Sequence, residues 1–371
     1  MLILKTEQKR FLAAMQDVLG AVERRHTLPI LSNVLLRKAG PQISFTTSDL
    51  DLQLGTQAEL GGDAGDFATT LAARKLVDIL RALPAEGPVS LTAKAGKLVL
   101  QGGKSRFTLH TLPAQDFPLV QEAAGLAPPV LLAQPVLRTL LAQVEFAMAV
   151  QDIRYYLNGV LLAMEGHTIT LVATDGNRLA LAQATVDTDL PKTEVILPRK
   201  AVQELLRLLR DDAAAEAPVE MRLAPAQARF ALNGITLTTK LVEGKYPDYR
   251  RVIPAQASQR LTVRRDALLA GLQRAAILTN ERFKAVTLNI EPGTLRIGAR
   301  NAEQEEAKEE VEADYEGAEI EIGLNVVYLL DLLTHCTADS VTLALRDAHS
   351  SVLITLQGQA DFKYVVSPLR I

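Results

Sequence analysis

Apolar and polar positions along this chain follow one pattern three times. The stretches LSNVLL from Leu31, LNGVLL from Leu157 and FKAVTL from Phe283 are each followed by a short polar turn, KAGP, MEGH or EPGT. An alternating strand comes next, ending at Asp49, Asp175 or Asn301, a step of 126 residues both times. A helical block then repeats: ARKLVDILRAL from Ala73, PRKAVQELLRLL from Pro198 and GLNVVYLLDLL from Gly323. From Arg74 to Arg199 to Leu324 the step is 125 residues. Solenoid units repeat every ~20–50 residues, so a period this long marks a whole domain.

Each copy opens on a short strand leading into a helix: LILKT then EQKRFLAAMQDVLGAV, VLLAQ then PVLRTLLAQVEFAMA, and RLTVR then RDALLAGLQRAAIL. Helical spacing is plain at Leu268, Leu269, Leu272 and Ala276. Thr6 and the pair Gln134-Pro135 read as first-turn signals, with Pro fitting the first helical position. In the second helix of the middle copy, predicted over 199–210, Val202, Leu205, Leu206 and Leu209 form one face, with Gln203, Arg207 and Arg210 on another. Closing strands such as VSLTAKAGKLVLQGG and SRFTLHTL follow, joined by Gly-containing turns. The fold class is α+β, with sheet and helices segregated within three tandem domains. The expected domains are 1–125, 129–254 and 256–371. Ala/Pro-rich linkers fall at Gln121–Pro129 and Ile253–Gln259, and DDAAAEAP at 211–218 reads as a loop inside the second copy.

Composition narrows the class. Apolar residues make up 48% of the chain, enough for sizeable cores, and aromatics only 4% with no Trp, so the cores must be aliphatic. The single Cys336 excludes an internal disulfide and fits a reducing cytoplasm. MLILKTEQKR is too short an apolar run for a signal peptide, and nothing approaches the ~18 apolar residues of a membrane span.

A formal net charge of −3 hides strong local bias. Residues 199–210 and 260–284 are rich in Arg and Lys, whereas 303–321 carries ten carboxylates against Lys308. Any one run is explained by a solvated face. As a set, they give a near-neutral protein with a basic helical surface suited to phosphates.

Catalytic constellations do not emerge. There is no P-loop, HExxH, CxxC or GxSxG, and His26, His110, His167, His335 and His349 lack metal spacing. Asp49-x-Asp51 and Asp187-x-Asp189 read as exposed acids, and ATDGNR at 173–178 as a tight turn after a strand. No cofactor is expected, and triplication points to a protein built for its shape.

Seven segments carry a family resemblance: TLPILSN (27–33), QDIRYYLNG (151–159), ATDGNRLA (173–180), PRK (198–200), KYPDYRRV (245–252), AEQEEA (302–307) and YVVSPLRI (364–371). Together, and in order along the whole chain, they resemble the bacterial DNA polymerase III β subunit, the sliding clamp. The resemblance implies a head-to-tail homodimeric ring of six similar domains around duplex DNA. If two helices per domain line the ring ~9–10 Å apart, six helices close a circle ~18 Å across at their axes. Twelve give ~36 Å, and a bore of ~25 Å after subtracting one helix diameter. A triplicated chain therefore needs a second copy to admit a duplex. Sliding demands few, mobile phosphate contacts and no base readout.

By resemblance, Arg25, Gln151, Tyr155, Tyr156 and Lys200 face DNA. Linear peptides would enter a cleft between the second and third domains. The matching positions begin with Leu157, Thr174, Gly176, Asn177, Arg178 and Leu179. Pro247, Val252, His349 and Ser351 follow, and the C-terminal segment adds Val365, Val366, Ser367, Pro368, Leu369 and Arg370. An apolar strip rimmed by Arg178 and Arg370 suits a peptide with hydrophobic anchors. Ser367, Asn177 and His349 depart from the family's common Met, His and aliphatic residue. The dimer interface would pair Phe107 and Leu109 with Ile277 and Leu278. Lys75, Lys104 and Arg106 would face Glu303, Glu305, Glu306 and Glu309, while Lys308 departs from an acid. Implied partners are duplex DNA, the DNA polymerase III α subunit, the clamp-loader δ subunit, other DNA polymerases, mismatch-repair proteins and ligase. A cytoplasmic place at the replisome is implied, with no membrane. Two other classes stay open here: a monomeric three-domain peptide-binding scaffold, and a nucleic-acid enzyme whose motif is not visible.

Overall fold

A computed structural model describes every residue except 24–27, 64, 95, 211–216, 256, 281–283 and 371. It contains six α-helices among the described residues, two per copy: α1 (Gln8–Val18), α2 (Ala73–Ala82), α3 (Gln134–Val144), α4 (Arg199–Leu208), α5 (Arg265–Ala276) and α6 (Val326–His335). The periodicity located all six and overran some ends. The chain after α1 and after α3 tightens into 3-10 turns at Leu19–Ala21 and Glu145–Ala147. Thr6 does not start a helix: it lies in strand Leu2–Glu7, and Glu7 caps α1 in an extended conformation without a side-chain bond. Pro135 is the second residue of α3. The expected loop at 211–218 lies mostly outside the described residues.

Each helix buries the stripe its sequence provides. In α2 these are Ala73, Leu76, Val77 and Leu80. In α4 and the two residues after it, Val202, Leu205 and Leu209 are buried and Gln203, Arg207 and Arg210 exposed, but Leu206, expected on the apolar face, is only half-buried. Each fully buried Leu or Val adds about 1.5–3 kcal/mol of transfer free energy. In α5, Gly271 lets the helix approach its sheet: a Cβ there would sit 3.1 Å from Ile297 Cδ1.

By contact density the chain forms two compact units, Met1–Pro135 with Gln203–Leu241, and Val136–Val202 with Val242–Ile371. The cut passes through α3 and α4, so the second copy contributes to both. The first unit holds a four-stranded sheet in the order Leu2–Glu7, Pro88–Lys94, Lys97–Gly102, Ser105–Leu109. It also holds a nine-stranded sheet in which Ile235–Lys240 of the second copy pairs with Leu52–Glu59 of the first. The Phe11 and Phe45 rings, tilted by 32° with centroids 5.7 Å apart, mark its core. The second unit holds a four-stranded sheet in the order Glu306–Glu312, Thr294–Arg300, Ala285–Glu291, Ile320–Asn325. Its six-stranded sheet pairs Gln359–Val366 of the third copy with the start of Arg178–Pro198.

In the first and third copies the KAGP and EPGT turns separate two strands, with Gly40 and Gly293 at positive φ. MEGH does not interrupt the second copy in the same way. Gly159–Thr174 runs on as one long strand, and the register merely shifts between Met164 and Thr168.

Candidate functional site

The hairpin tip at Asp175 shapes the predicted cleft. Asp175 Oδ1 accepts the backbone N–H groups of Asn177 and Arg178 at 2.9 and 3.0 Å, and Gly176 takes φ +94°. That left-handed conformation favours glycine. Below the tip lies a cavity of about 190 Å³, lined by Leu157, Thr174, Leu179, Val252 and Val365 among others. Gly176, Asn177, Arg178, Pro247 and Ser367 complete the expected wall. Three lining residues were not foreseen there: Arg154, Tyr249 and Tyr156, the last having been assigned to DNA. An available signal for Arg154 was the acid two residues before it. Asp152 binds the Arg154 guanidinium at 2.8 and 3.0 Å, which holds the Asp152 carboxyl down at about 2. The guanidinium lies over the hairpin tip, its two terminal nitrogens 3.0 Å from where a Gly176 Cβ would stand.

Arg178 is not the open rim cation that the sequence suggested. Its side chain is only 9% exposed, and bonds to Asp175 (3.1 Å), Asp331 (2.5 Å) and the Phe146 carbonyl (2.7 Å) occupy its guanidinium. It also lies 4.6 Å from the Tyr328 ring centroid. A buried charge must be paired in this way. Arg178 thus ties the hairpin tip to α6 of the third copy, and Arg154 is the cation at the cavity mouth.

The remaining cleft positions divide. His349, Pro368, Leu369 and Arg370 line a separate depression of about 680 Å³ with Glu321 and Gly323. The C-terminal segment is held by backbone bonds from Ser367 to Asn177 and from Leu369 to Gly323, both 2.8 Å. Ser351 lines neither depression. Val366 is fully buried and lines neither, because side chains alternate along a strand and Val365 takes the cleft face.

Among the residues expected to face DNA, Gln151 is exposed with φ +54°, and Tyr155 is 56% exposed. Tyr155 meets Tyr156 edge-on, ring centroids 5.9 Å apart. The loop under them is stiff: Asn158 donates to the Asp152 carbonyl and accepts its N–H, both at 2.9 Å. Lys200 is half-buried at the start of α4. Arg25 lies outside the described residues.

The expected interface residues sit on or beside two sheet edges. Lys104 and Arg106 are exposed around Ser105–Leu109, Lys75 is exposed on α2, and Phe107 is half-buried. Leu109 is 8% exposed, so most of its surface is already covered within its own chain. Ile277 is 78% exposed, with Leu278 half-buried beside it. Glu303, Glu305 and Glu306 are exposed. Glu309 is already engaged: Arg274 binds both its oxygens, at 2.9 and 2.5 Å, and lowers its pKa. No group of side chains suited to a metal occurs among the described residues, and no helix there is long and apolar enough to cross a membrane.

Comparison with known proteins covers the whole chain. Models of the N-terminal, central and C-terminal domains of the DNA polymerase III beta subunit match residues 2–121, 131–248 and 250–370. The beta sliding clamp of Pseudomonas putida is 44% identical over 366 residues, 98% of this chain and 99% of that one. That of Escherichia coli K12 is 39% identical over 365 residues, with the same coverage. A sliding-clamp crystal structure from Pseudomonas aeruginosa, bound to a ligand, superposes with a TM-score of 0.94 at 41% identity, covering 100% of both chains. The pol III beta structure from Caulobacter crescentus gives 0.92 at 36% identity, again over 100% of both chains.

Proposed function

The chain belongs to the DNA polymerase III β subunit family, and from that premise we propose how its parts serve a DNA sliding clamp. The family's members are non-catalytic processivity factors, so this protein is not an enzyme, and it partners DNA and a DNA polymerase as a dimeric ring. The three expected domains, 1–125, 129–254 and 256–371, are the units of that ring.

Strand pairing carries the proposal for ring closure. The last closing strand of the second copy, Ile235–Lys240, pairs antiparallel with Leu52–Glu59, the third strand between the helices of the first copy. The last closing strand of the third copy, Gln359–Val366, pairs antiparallel with Arg178–Ala182, the same position in the second. One strand of each kind remains: Ser105–Leu109 in the first copy and Glu306–Glu312 in the third. Each is the end strand of its sheet. The far edge of the first-copy sheet is covered, since Lys5 donates to Leu60 at 3.0 Å and Asp63 to Leu2 at 2.8 Å. An exposed strand edge seeks a partner. Repeating the same junction between two chains pairs Ser105–Leu109 with Glu306–Glu312 of a second copy, twice, and closes a ring. Arg106 and Lys104 then meet Glu303, Glu305 and Glu306, and Phe107 meets Ile277.

Within the ring, Arg25, Gln151, Tyr155, Tyr156 and Lys200 touch the DNA backbone weakly. The apolar cavity takes the hydrophobic anchor of a linear peptide, and the depression beside Leu369 takes a second. Through such peptides the DNA polymerase III α subunit, the clamp-loader δ subunit, other DNA polymerases, mismatch-repair proteins and ligase share the clamp. Its place is the cytoplasmic replisome on the nucleoid. The test is retention after loading by a clamp loader: the protein stays on circular DNA and leaves linear DNA by its ends. Equal retention on both would refute topological linkage.

A further inference from the structure

We propose that the cleft continues past Tyr249 into a cationic groove that holds an acidic side chain of the docked peptide, two to four residues from its apolar anchor. The inference rests on the reading of the 190 Å³ cavity as the peptide's anchor pocket. A second depression of about 350 Å³ shares the Tyr249 wall, and its floor includes Thr170, Leu181, Gln183 and Lys363.

The two depressions are successive stretches of one sheet face. Leu179 is opposite Val365, and both line the cavity. The next pair on that face, Leu181 opposite Lys363, lines the groove. On the other side of the same strand, Thr174 opposite Leu179 belongs to the cavity and Thr170 opposite Gln183 to the groove. Residues two apart on a strand share a face and lie ~7 Å apart. An extended peptide advancing ~3.3 Å per residue spans ~7–13 Å in two to four residues, which carries a side chain from the cavity over Tyr249 into the groove.

Chemistry changes across that wall. Leu157, Leu179, Pro247, Val252 and Val365 give the cavity its apolar lining, with Arg154 and Arg178 its charged residues, whereas the groove is lined by five charged residues, Glu165, Lys192, Glu194, Arg250 and Lys363. Lys192 is occupied by Glu165 at 2.8 Å. Arg250 lies 4.6 Å from the Tyr249 ring centroid and, like the half-buried Lys363, makes no ion pair among the described residues. Glu194 is the single groove carboxylate without such a pair there. Arg250 also attracts Glu165, so the groove as a whole sets three cations, Lys192, Arg250 and Lys363, against two carboxylates, and this positive excess favours an anionic side chain and disfavours a basic one. The peptide partner is therefore one whose flank beyond the anchor carries Asp or Glu.

The experiment measures fluorescence anisotropy of three peptide types on the intact dimer. One holds the hydrophobic anchors alone, and the others add a flank of Asp or of Asn at either end. An Asp flank at one end should tighten binding about three- to fivefold over Asn at low salt. The gain should shrink at about 300 mM salt. In Lys363→Glu the Asp flank should weaken binding instead, with the anchor peptide unaffected, and Lys363→Arg should keep the gain. Asp and Asn flanks that bind alike at both ends overturn the groove while leaving the anchor pocket standing. An anchor peptide that does not bind overturns both.

Discussion

Replacing Arg178 with Ala removes a side chain that joins the hairpin tip of the second copy to α6 of the third, where Asn177 also bonds the Tyr328 side chain. Three bonds are lost, to Asp175, to Asp331 and to the Phe146 carbonyl, together with the contact over Tyr328. Bonds to charged groups contribute about 1.5–3 kcal/mol each, and stranding a buried partner costs about 3–5 kcal/mol. Here the stranded carboxylates are 17% and 33% exposed, so water recovers part of the loss. A net local cost of about 2–3 kcal/mol follows. Two compact units make a single global unfolding transition a poor readout. Amide hydrogen exchange reports local opening instead. Protection in α6 and in the turn after Thr174 should fall roughly 30- to 150-fold. Arg178→Ala combined with Asp331→Asn should cost about 1–2 kcal/mol less than the sum of the single changes. Unchanged protection in α6, or strict additivity of the pair, would refute the idea that Arg178 couples these elements.

Gly176→Ala meets a φ of +94° and the Arg154 guanidinium 3.0 Å away, so it should cost about 1–2 kcal/mol. It should also weaken anchor-peptide binding about tenfold by anisotropy, and undiminished affinity would mean that Arg154 moves aside freely. Ile277→Asp changes a side chain that is 78% exposed. The folded chain should stay within about 0.5 kcal/mol of its stability, while sedimentation should show 40.3 kDa in place of twice that mass. A persistent dimer would place Ile277 outside the interface. Asp152 titrates at about 2 rather than 3.8, its pKa lowered first by the Arg154 side chain and then by the Arg154 backbone N–H. A depressed carboxyl stabilises the folded loop fully above its unfolded value and loses that contribution as pH falls through the folded one. Carboxyl NMR should give a midpoint near 2, and a midpoint near 3.8 would mean the bond is absent in solution.

The helices and the triplication were legible because they depend on local order: a 3.6-residue stripe and a fixed period survive in the sequence whatever the chain later touches. Pairings across the chain were not. Arg178 reads as the end of a tight turn and a rim cation, and its burial is permitted by Asp331, 153 residues away. Arg154 lies within QDIRYYLNG, and nothing local in that segment shows that its guanidinium will lie over the Gly176 tip 22 residues on. Val366 was included with the cleft as part of a motif, although alternation alone puts it on the opposite face from Val365. Thr6 has a capping side chain, but pairing of Leu2–Glu7 with Pro88–Lys94 keeps it in a strand. For the expected interface, the resemblance pairs the basic run with the acidic one. That pairing does not reveal that Arg274 of the same chain engages Glu309.

One turn shows how the copies took separate roles. Asp49 accepts from the N–H groups of Asp51 and Leu52, as Asp175 does from Asn177 and Arg178, so the two tips have the same hydrogen bonds. Between them the first copy has Leu50 at φ +81° and the second has Gly176 at φ +94°. A leucine in that region is strained by about 1 kcal/mol or more. In the second copy a Cβ would displace Arg154 from the cavity mouth, and glycine leaves the space open. In the third copy Asn301 accepts from Glu305 instead, at 2.9 Å, which widens the turn. The widened turn presents Glu303 and Glu305 beside the free edge at Glu306–Glu312. The three corresponding tips thus differ in backbone: a leucine and a glycine take the left-handed position in the first two copies, and the third copy's turn is wider.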